Sequence, residues 1–167
     1  MKNFKNARLS GIMVMTAALL LAPSIAPAES GNLPVEDAKD LQNYISRENP
    51  YTEWELWPGT EKMYKGTEPH GVLLTTYVND IALDALREGK DVFPQGAIIA
   101  KENYTGDRKL TALTVMYKVE GYNPDGGDWY WLRYQADGTV DAEGKVRPCI
   151  NCHRAKQDQD WVFTAKP

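Results

Sequence analysis

Soft metal ligands are scarce in this chain. It has two cysteines and two histidines in 167 residues, and three of those four side chains sit within five consecutive positions near the C-terminus. That scarcity is restrictive. A structural zinc site usually draws four ligands from two paired motifs; no second pair exists, and His70 or a carboxylate would have to complete the set. A redox Cys-x-x-Cys of the thioredoxin kind belongs beside a βαβ pattern, which is missing. So are internal repeats, low-complexity tracts and any linker to a second domain. Beyond residue 22 no apolar run is long enough to cross a bilayer. Positive charge is also short: 19 Lys and Arg against 23 Asp and Glu leave a net charge of −4, which argues against nucleic acid or anionic lipid as a partner.

What is present is Cys149-Ile150-Asn151-Cys152-His153. Two thiols three residues apart can add to the two vinyl groups of one haem, and the histidine that follows presents an imidazole to the iron. The pattern is that of a c-type haem attachment site, with a redox disulfide and zinc as its rivals.

The N-terminus adds a compartment. Lys2, Lys5 and Arg8 form a basic region, residues 9–22 are apolar, and Ala26-Pro27-Ala28 reads as a cleavage site, the graded order of a secretory signal. The expectation is a signal peptide over 1–28 and a single domain over 29–167, exported to the periplasm, with an uncleaved anchor as the alternative. Cleavage removes three basic residues and no acidic one, taking the net charge from −4 to −7. The remaining chain is large enough for one core and a buried cofactor. Residues 29–34 read as a loose leader.

Residues 35–47 have helical spacing, with Ala38, Leu41, Tyr44 and Ile45 on one side, and Asn49-Pro50 ends them. Trp54, Leu56 and Trp57 before Pro58-Gly59 read as a packed aromatic connection. Strands are predicted over 71–79, 96–104, 111–120 and 128–135, each rich in β-branched or aromatic residues between turn signals. A short helix over 81–88 follows the first of them, capped by Asn79 or Asp80. Alternation sets faces. Leu113, Val115, Tyr117 and Val119 oppose Thr114, Met116 and Lys118, while Trp129, Trp131 and Arg133 oppose Tyr130, Leu132 and Tyr134. Both faces are bulky, as in a sheet covered by helix on one side and by a flat cofactor on the other, or as in an ordinary two-layer core. The fold class is α+β, mainly an antiparallel β-sheet with a few flanking helices and the haem packed on the sheet. The mixed-charge runs 84–90 and 154–160 read as solvated faces, and Asn103-Tyr104-Thr105 matches a glycosylation acceptor.

Taken together, Trp57-Pro58-Gly59-Thr60, Pro69-His70-Gly71, Tyr77-Val78-Asn79, Pro94-Gln95-Gly96-Ala97 with Lys101-Glu102, Gly121-Tyr122-Asn123-Pro124, Gly127-Asp128-Trp129, the cysteine motif and Asp160-Trp161-Val162-Phe163 resemble the cytochrome P-460 family. The likeness covers almost the whole mature chain. It implies a β-sheet fold with one c-type haem, in hydroxylamine-oxidising enzymes or in gas-binding cytochromes c-prime of the β type. Residue by residue, it implies thioethers from Cys149 and Cys152 and the axial iron bond from His153. It also implies that Lys101, at the position of the family's lysine bonded to a porphyrin meso carbon, is a candidate haem cross-link. Lys101 shares a strand face with Ala97 and Ile99; a surface lysine is the plainer reading. His70 is a candidate distal residue, either a sixth iron ligand or a hydrogen-bond donor to a bound gas, or else a turn residue. Met116 is a second conceivable sixth ligand, though a methionine in a strand usually belongs to the core. Glu102 is a candidate proton acceptor, but it points away from Lys101, so only one of the two belongs in a shared pocket.

Three functions follow: oxidation of hydroxylamine or a related small nitrogen species at an open haem iron, non-catalytic binding of nitric oxide or carbon monoxide, and six-coordinate electron transfer. The first leads. The expected cofactor is covalent haem c, in the lysine-bonded P-460 form if Lys101 reacts. The expected partners are a small-molecule substrate or diatomic gas, a redox partner protein with a basic docking face, and a second copy of the chain in a homodimer.

Overall fold

The computed structural model describes residues 37–163; the expected signal segment and leader lie outside them. Three α-helices and seven strands follow in chain order: α1 (Ala38–Asn43), β1 (Glu55–Leu56), β2 (Tyr64–Lys65), β3 (Leu73–Val78), α2 (Asp80–Arg87), β4 (Ile98–Tyr104), β5 (Leu110–Lys118), β6 (Trp129–Gln135), β7 (Val140–Gly144) and α3 (Arg147–His153). All pairings are antiparallel, in the order β1-β3-β4-β5-β6-β7, and β2 shares the outer edge of β3 with β1. The α+β class read from the sequence is the observed one.

The four long strands fall where side-chain chemistry put them. Three further strands were not anticipated: the two-residue β1 and β2, and the polar β7. The expected first helix is helical through all of its described residues after Asp37, but not α-helical throughout. Asp37 caps α1 by accepting from the backbone N–H groups of Lys39 and Asp40, and the chain then loosens into a π-type turn over Tyr44–Glu48. For α2 the cap is Asn79, whose side chain accepts from Ala82 N and Ile98 N and donates to Gly96 O. That one amide therefore ties the helix start to β4.

Register decides what faces what. Thr76, Lys101, Thr114, Arg133 and Ala142 lie in one row across β3 to β7, and Val78, Ile99, Met116, Trp131 and Gly144 form the next. These rows share one face, which packs against α2, α3 and the C-terminal segment. The opposite face, with Tyr77, Ala100, Val115, Leu132 and Tyr134, is closed by Ala38, Leu41 and Ile45 of the first helical segment. Burying aliphatic side chains as completely as Leu41 and Ile45 contributes about 1.5–3 kcal/mol each. Polar ties fix the lid in place: Tyr134 Oη donates to Ala38 O at 2.7 Å, and Glu143 accepts from Ala38 N at 2.9 Å.

One expectation needs correction here. Asp160, read as part of a solvated charged run, is buried. Its carboxylate meets Lys118 Nζ at 2.7 and 2.8 Å and accepts from Phe93 N at 2.8 Å. The exposed residues of that run do face solvent; its last member turns inward because Asp160 and Trp161 adopt left-handed backbone, with φ of 52° and 65°.

Candidate functional site

β7 ends at Gly144, and α3 begins within three residues, with Pro148 in its first turn. On a helix, positions i, i+3 and i+4 lie on one face, so Cys149, Cys152 and His153 are presented together. All three line a mostly apolar cavity of about 370 Å³, within the range of small-ligand and cofactor sites. Ile99, Lys101, Thr114, Met116, Trp131 and Arg133 from the sheet form its floor, and Pro69, His70, Val162 and Phe163 close its ends.

His153 is buried, and its Nδ1 donates to the carbonyl of Trp161 at 2.6 Å. A carbonyl can only accept, so Nδ1 carries the proton and Nε2 keeps its lone pair. The ring is held edge-on by Trp131 and Phe163, at centroid distances of 4.6 and 5.1 Å. Burial, more than any other influence, lowers its pKa. The Trp161 carbonyl is itself fixed from behind: the Asp160 carbonyl accepts from Trp129 Nε1 at 2.8 Å, and the Asp160 side chain is locked to Lys118. Gly127 makes room for this arrangement, since a Cβ there would lie 2.3 Å from the Trp161 ring. Burial likewise raises the pKa of the Cys149 thiol.

His70 enters from the tip of the β2–β3 hairpin. Gly66 and Gly71 let that tip press down: a Cβ on Gly71 would come within 2.6 Å of the Tyr104 backbone, and one on Gly66 within 2.2 Å of Gly71 O. His70 Nδ1 lies 3.0 Å from Asn103 Oδ1. Asn103 Nδ2 donates to Lys101 O, Ala112 O and Thr114 Oγ1 at 2.9, 3.2 and 3.2 Å, which fixes the amide orientation and leaves Oδ1 as the acceptor. His70 therefore also carries its proton on Nδ1. Its pKa is lowered to about 4, first by burial and then by the charge of Lys101, so the ring is neutral at ordinary pH. The rings of His70 and His153 stand 6.2 Å apart at 86°.

Lys101 lines the cavity, and its ammonium has no hydrogen-bond or ion-pair partner among the described residues. Burial pulls its pKa down to about 8. Trp131 is also unsatisfied; its buried indole N–H lacks a partner among the described residues. Arg133 is paired with Asp141 at 2.7 Å at the rim. Met116 lines the cavity as well.

Of the residues singled out in the sequence, Cys149, Cys152, His153, Lys101, His70 and Met116 converge on this cavity. Glu102 does not. The alternation of β4 sends it through the sheet, where its two oxygens accept from Tyr51 Oη at 3.1 Å and Tyr104 Oη at 2.7 Å. That removes Glu102 as a proton acceptor for the cavity. Asn103, Trp131 and the Trp161 carbonyl were missed. Asn103 had a signal, since it follows Ala97, Ile99 and Lys101 on one strand face.

The residues fit a porphyrin. A flat apolar group suits the lining, and two thiols with a buried, oriented imidazole are the donors such a group requires. By contrast, among the described residues no three His, Cys, Asp or Glu side chains converge as a zinc site needs, and none of the helices is long and apolar enough to cross a membrane.

Comparison with known proteins agrees. No curated protein matches the chain, whereas the family model described as Cytochrome P460 matches residues 49–164. That span runs from the turn after α1 through the cavity-closing C-terminal segment, so the chain belongs to the cytochrome P460 family, a family of haem-binding cytochromes.

Proposed function

We propose that this protein is an exported monohaem c-type cytochrome that carries single electrons, with Cys149 and Cys152 bonded to the porphyrin as thioethers and His153 as an axial ligand of its iron. The observation that carries this reading is the buried His153 imidazole, held with Nε2 unprotonated beside both thiols at one apolar cavity. When bound, the group supplies a one-electron iron couple whose potential follows its axial ligands, hydrogen bonds and burial. The chain's own residues do the rest. The Trp161 carbonyl orients His153, Ile99, Met116, Val162 and Trp131 exclude water, and the exposed Cys152 marks the side on which the cavity meets solvent. Electron carriage is favoured over chemistry at an open iron because the cavity already holds a second neutral imidazole, His70.

Oxidation of hydroxylamine or a related small nitrogen species is the second reading, supported by Lys101, an amine in the cavity that has no partner among the described residues and whose lowered pKa raises the share of its nucleophilic neutral form. The decisive experiment is to purify the exported form from a host competent in cytochrome maturation and weigh it after acid denaturation. The expected mass is that of the chain without residues 1–28 plus one haem, and a bare polypeptide would overturn the proposal. The same sample sorts the two readings. A strongly red-shifted reduced band that disappears in Lys101→Met together with hydroxylamine turnover supports the second; an ordinary c-type band unaffected by that substitution supports the first.

A further inference from the structure

We infer that His70 is the second axial ligand of the iron, held for that role by Asn103, so that the resting site is closed to small molecules and opens only when His70 is displaced. The inference rests on the reading that a haem occupies this cavity, and it concerns only which of the chain's residues meet the iron.

Three observations carry it. The first is spacing. Metal–imidazole bonds of about 2.0–2.1 Å, with a ring nitrogen a little over 1 Å from its centroid, place two imidazoles that share one metal roughly 6–6.5 Å apart, centroid to centroid. His70 and His153 stand at 6.2 Å. The two rings that pack directly on His153, those of Trp131 and Phe163, stand closer to it, at 4.6 and 5.1 Å.

The second is protonation. Each ring spends its Nδ1–H on an oxygen that can only accept: the Trp161 carbonyl for His153, and Asn103 Oδ1 for His70. Both are thereby left in the tautomer whose Nε2 binds metal, with a hydrogen-bonded acceptor behind Nδ1, as ligating histidines almost always have. Asn103 is dedicated to this arrangement. It is 2 % exposed, and its NH₂ group is fully engaged with backbone and Thr114 oxygens, so its carbonyl oxygen cannot be exchanged for the amide nitrogen without losing those bonds.

The third is anchorage. A turn residue would be expected to swing freely, yet the hairpin tip bearing His70 is pinned by Gly66 N to Val72 O at 2.8 Å and by the close approach of Gly71 to the Tyr104 backbone. The imidazole is thus delivered by a braced element.

The test uses the matured holoprotein. Electron paramagnetic resonance and near-infrared magnetic circular dichroism of the oxidised form should show low-spin iron with two nitrogen ligands, and the reduced form should take up carbon monoxide only slowly. His70→Ala should become high-spin and bind carbon monoxide readily, and added imidazole should restore the low-spin signature. Asn103→Leu, which keeps His70 but removes its acceptor, should ease displacement by cyanide about 10–100-fold, the usual effect of losing such an outer partner. High-spin iron in the unsubstituted protein would overturn the inference without touching the haem reading. So would a His70→Ala variant that stays low-spin without imidazole, which would transfer the ligand role to Met116 or Lys101. Absence of covalent haem, read by mass, would instead sink the underlying proposal.

Discussion

The two faces of the sheet are made from the same strands and are held to different standards. On the face closed by the first helical segment, the polar side chains in and beside the core have found company among the described residues. Glu102 serves two tyrosines, Tyr134 reaches the Ala38 carbonyl, and Glu143 accepts from the start of α1. On the cavity face, among the described residues, one row of the same strands leaves a lysine ammonium without a partner, and the next leaves an indole N–H unsatisfied. Local rules that hold across one surface and lapse on the other mark where function has displaced stability. The comparison teaches that the helix-covered face is the scaffold and the cavity face the instrument.

The difference can be broken at its strongest point first. Replacing both cysteines, Cys149→Ser with Cys152→Ser, should abolish covalent haem completely while leaving the scaffold face intact, read as bare-polypeptide mass with retained β-sheet circular dichroism. A sharper contrast comes from two substitutions on opposite faces. Lys118→Met strands the buried Asp160 carboxylate and should cost about 3–5 kcal/mol, the usual penalty for breaking a buried pair; because Asp160 holds the segment that orients His153, it should also shift the reduction potential. Leu41→Ala should cost a similar 2–5 kcal/mol through its cavity with the haem spectrum and potential unchanged. Denaturant melts and redox titrations of the two variants would separate them, and equal spectral change in both would erase the distinction between faces.

The smallest effect concerns pH. Tyr51, Tyr104, Tyr130 and Tyr134 on the scaffold face all have raised pKa values, caused first by burial and then by Glu102 or Glu143 or a neighbouring tyrosine; that of Tyr130 is pushed up to about 12. Unfolded tyrosine ionises near pH 10. The folded state therefore keeps protons that the unfolded chain gives up, and stability is full below about pH 10 and falls as pH rises from there toward about 12. Chemical denaturation at a series of alkaline pH values should show that decline, and Tyr134→Phe should shrink it.

Much of this was legible in the chain. The four long strands announce themselves because β-branched and aromatic residues crowd into short runs, and their alternation correctly put Lys101 with Ile99 and Glu102 on the other side. The cysteine motif stood out by its spacing, and the fold brings its three side chains to one cavity. Apart from Asn103, what escaped had no local signature. β1 and β2 are two residues each and exist only because β3 offers them an edge; β7 is Val-Asp-Ala-Glu-Gly, held as a strand by pairing with β6 rather than by propensity. Asp160 looked like one more member of a mixed-charge run, and its burial depends on Lys118 arriving from β5. The acceptor behind His153 is a backbone carbonyl, which no side-chain pattern can advertise.

The hairpin tip that carries His70 lies early in the described chain and the helix that carries His153 lies near its end, with five of the seven strands threaded between them. A metal gripped from both sides would close a very long loop, and the entropy of that closure grows only slowly with length, while any group that binds the folded chain alone shifts the folding equilibrium in proportion to how tightly it is held. Maturation would then be more than the loading of a finished protein. It would clamp the two ends of the sheet's story together, and chain that has never received its cofactor should melt at a lower temperature and fall to proteases sooner.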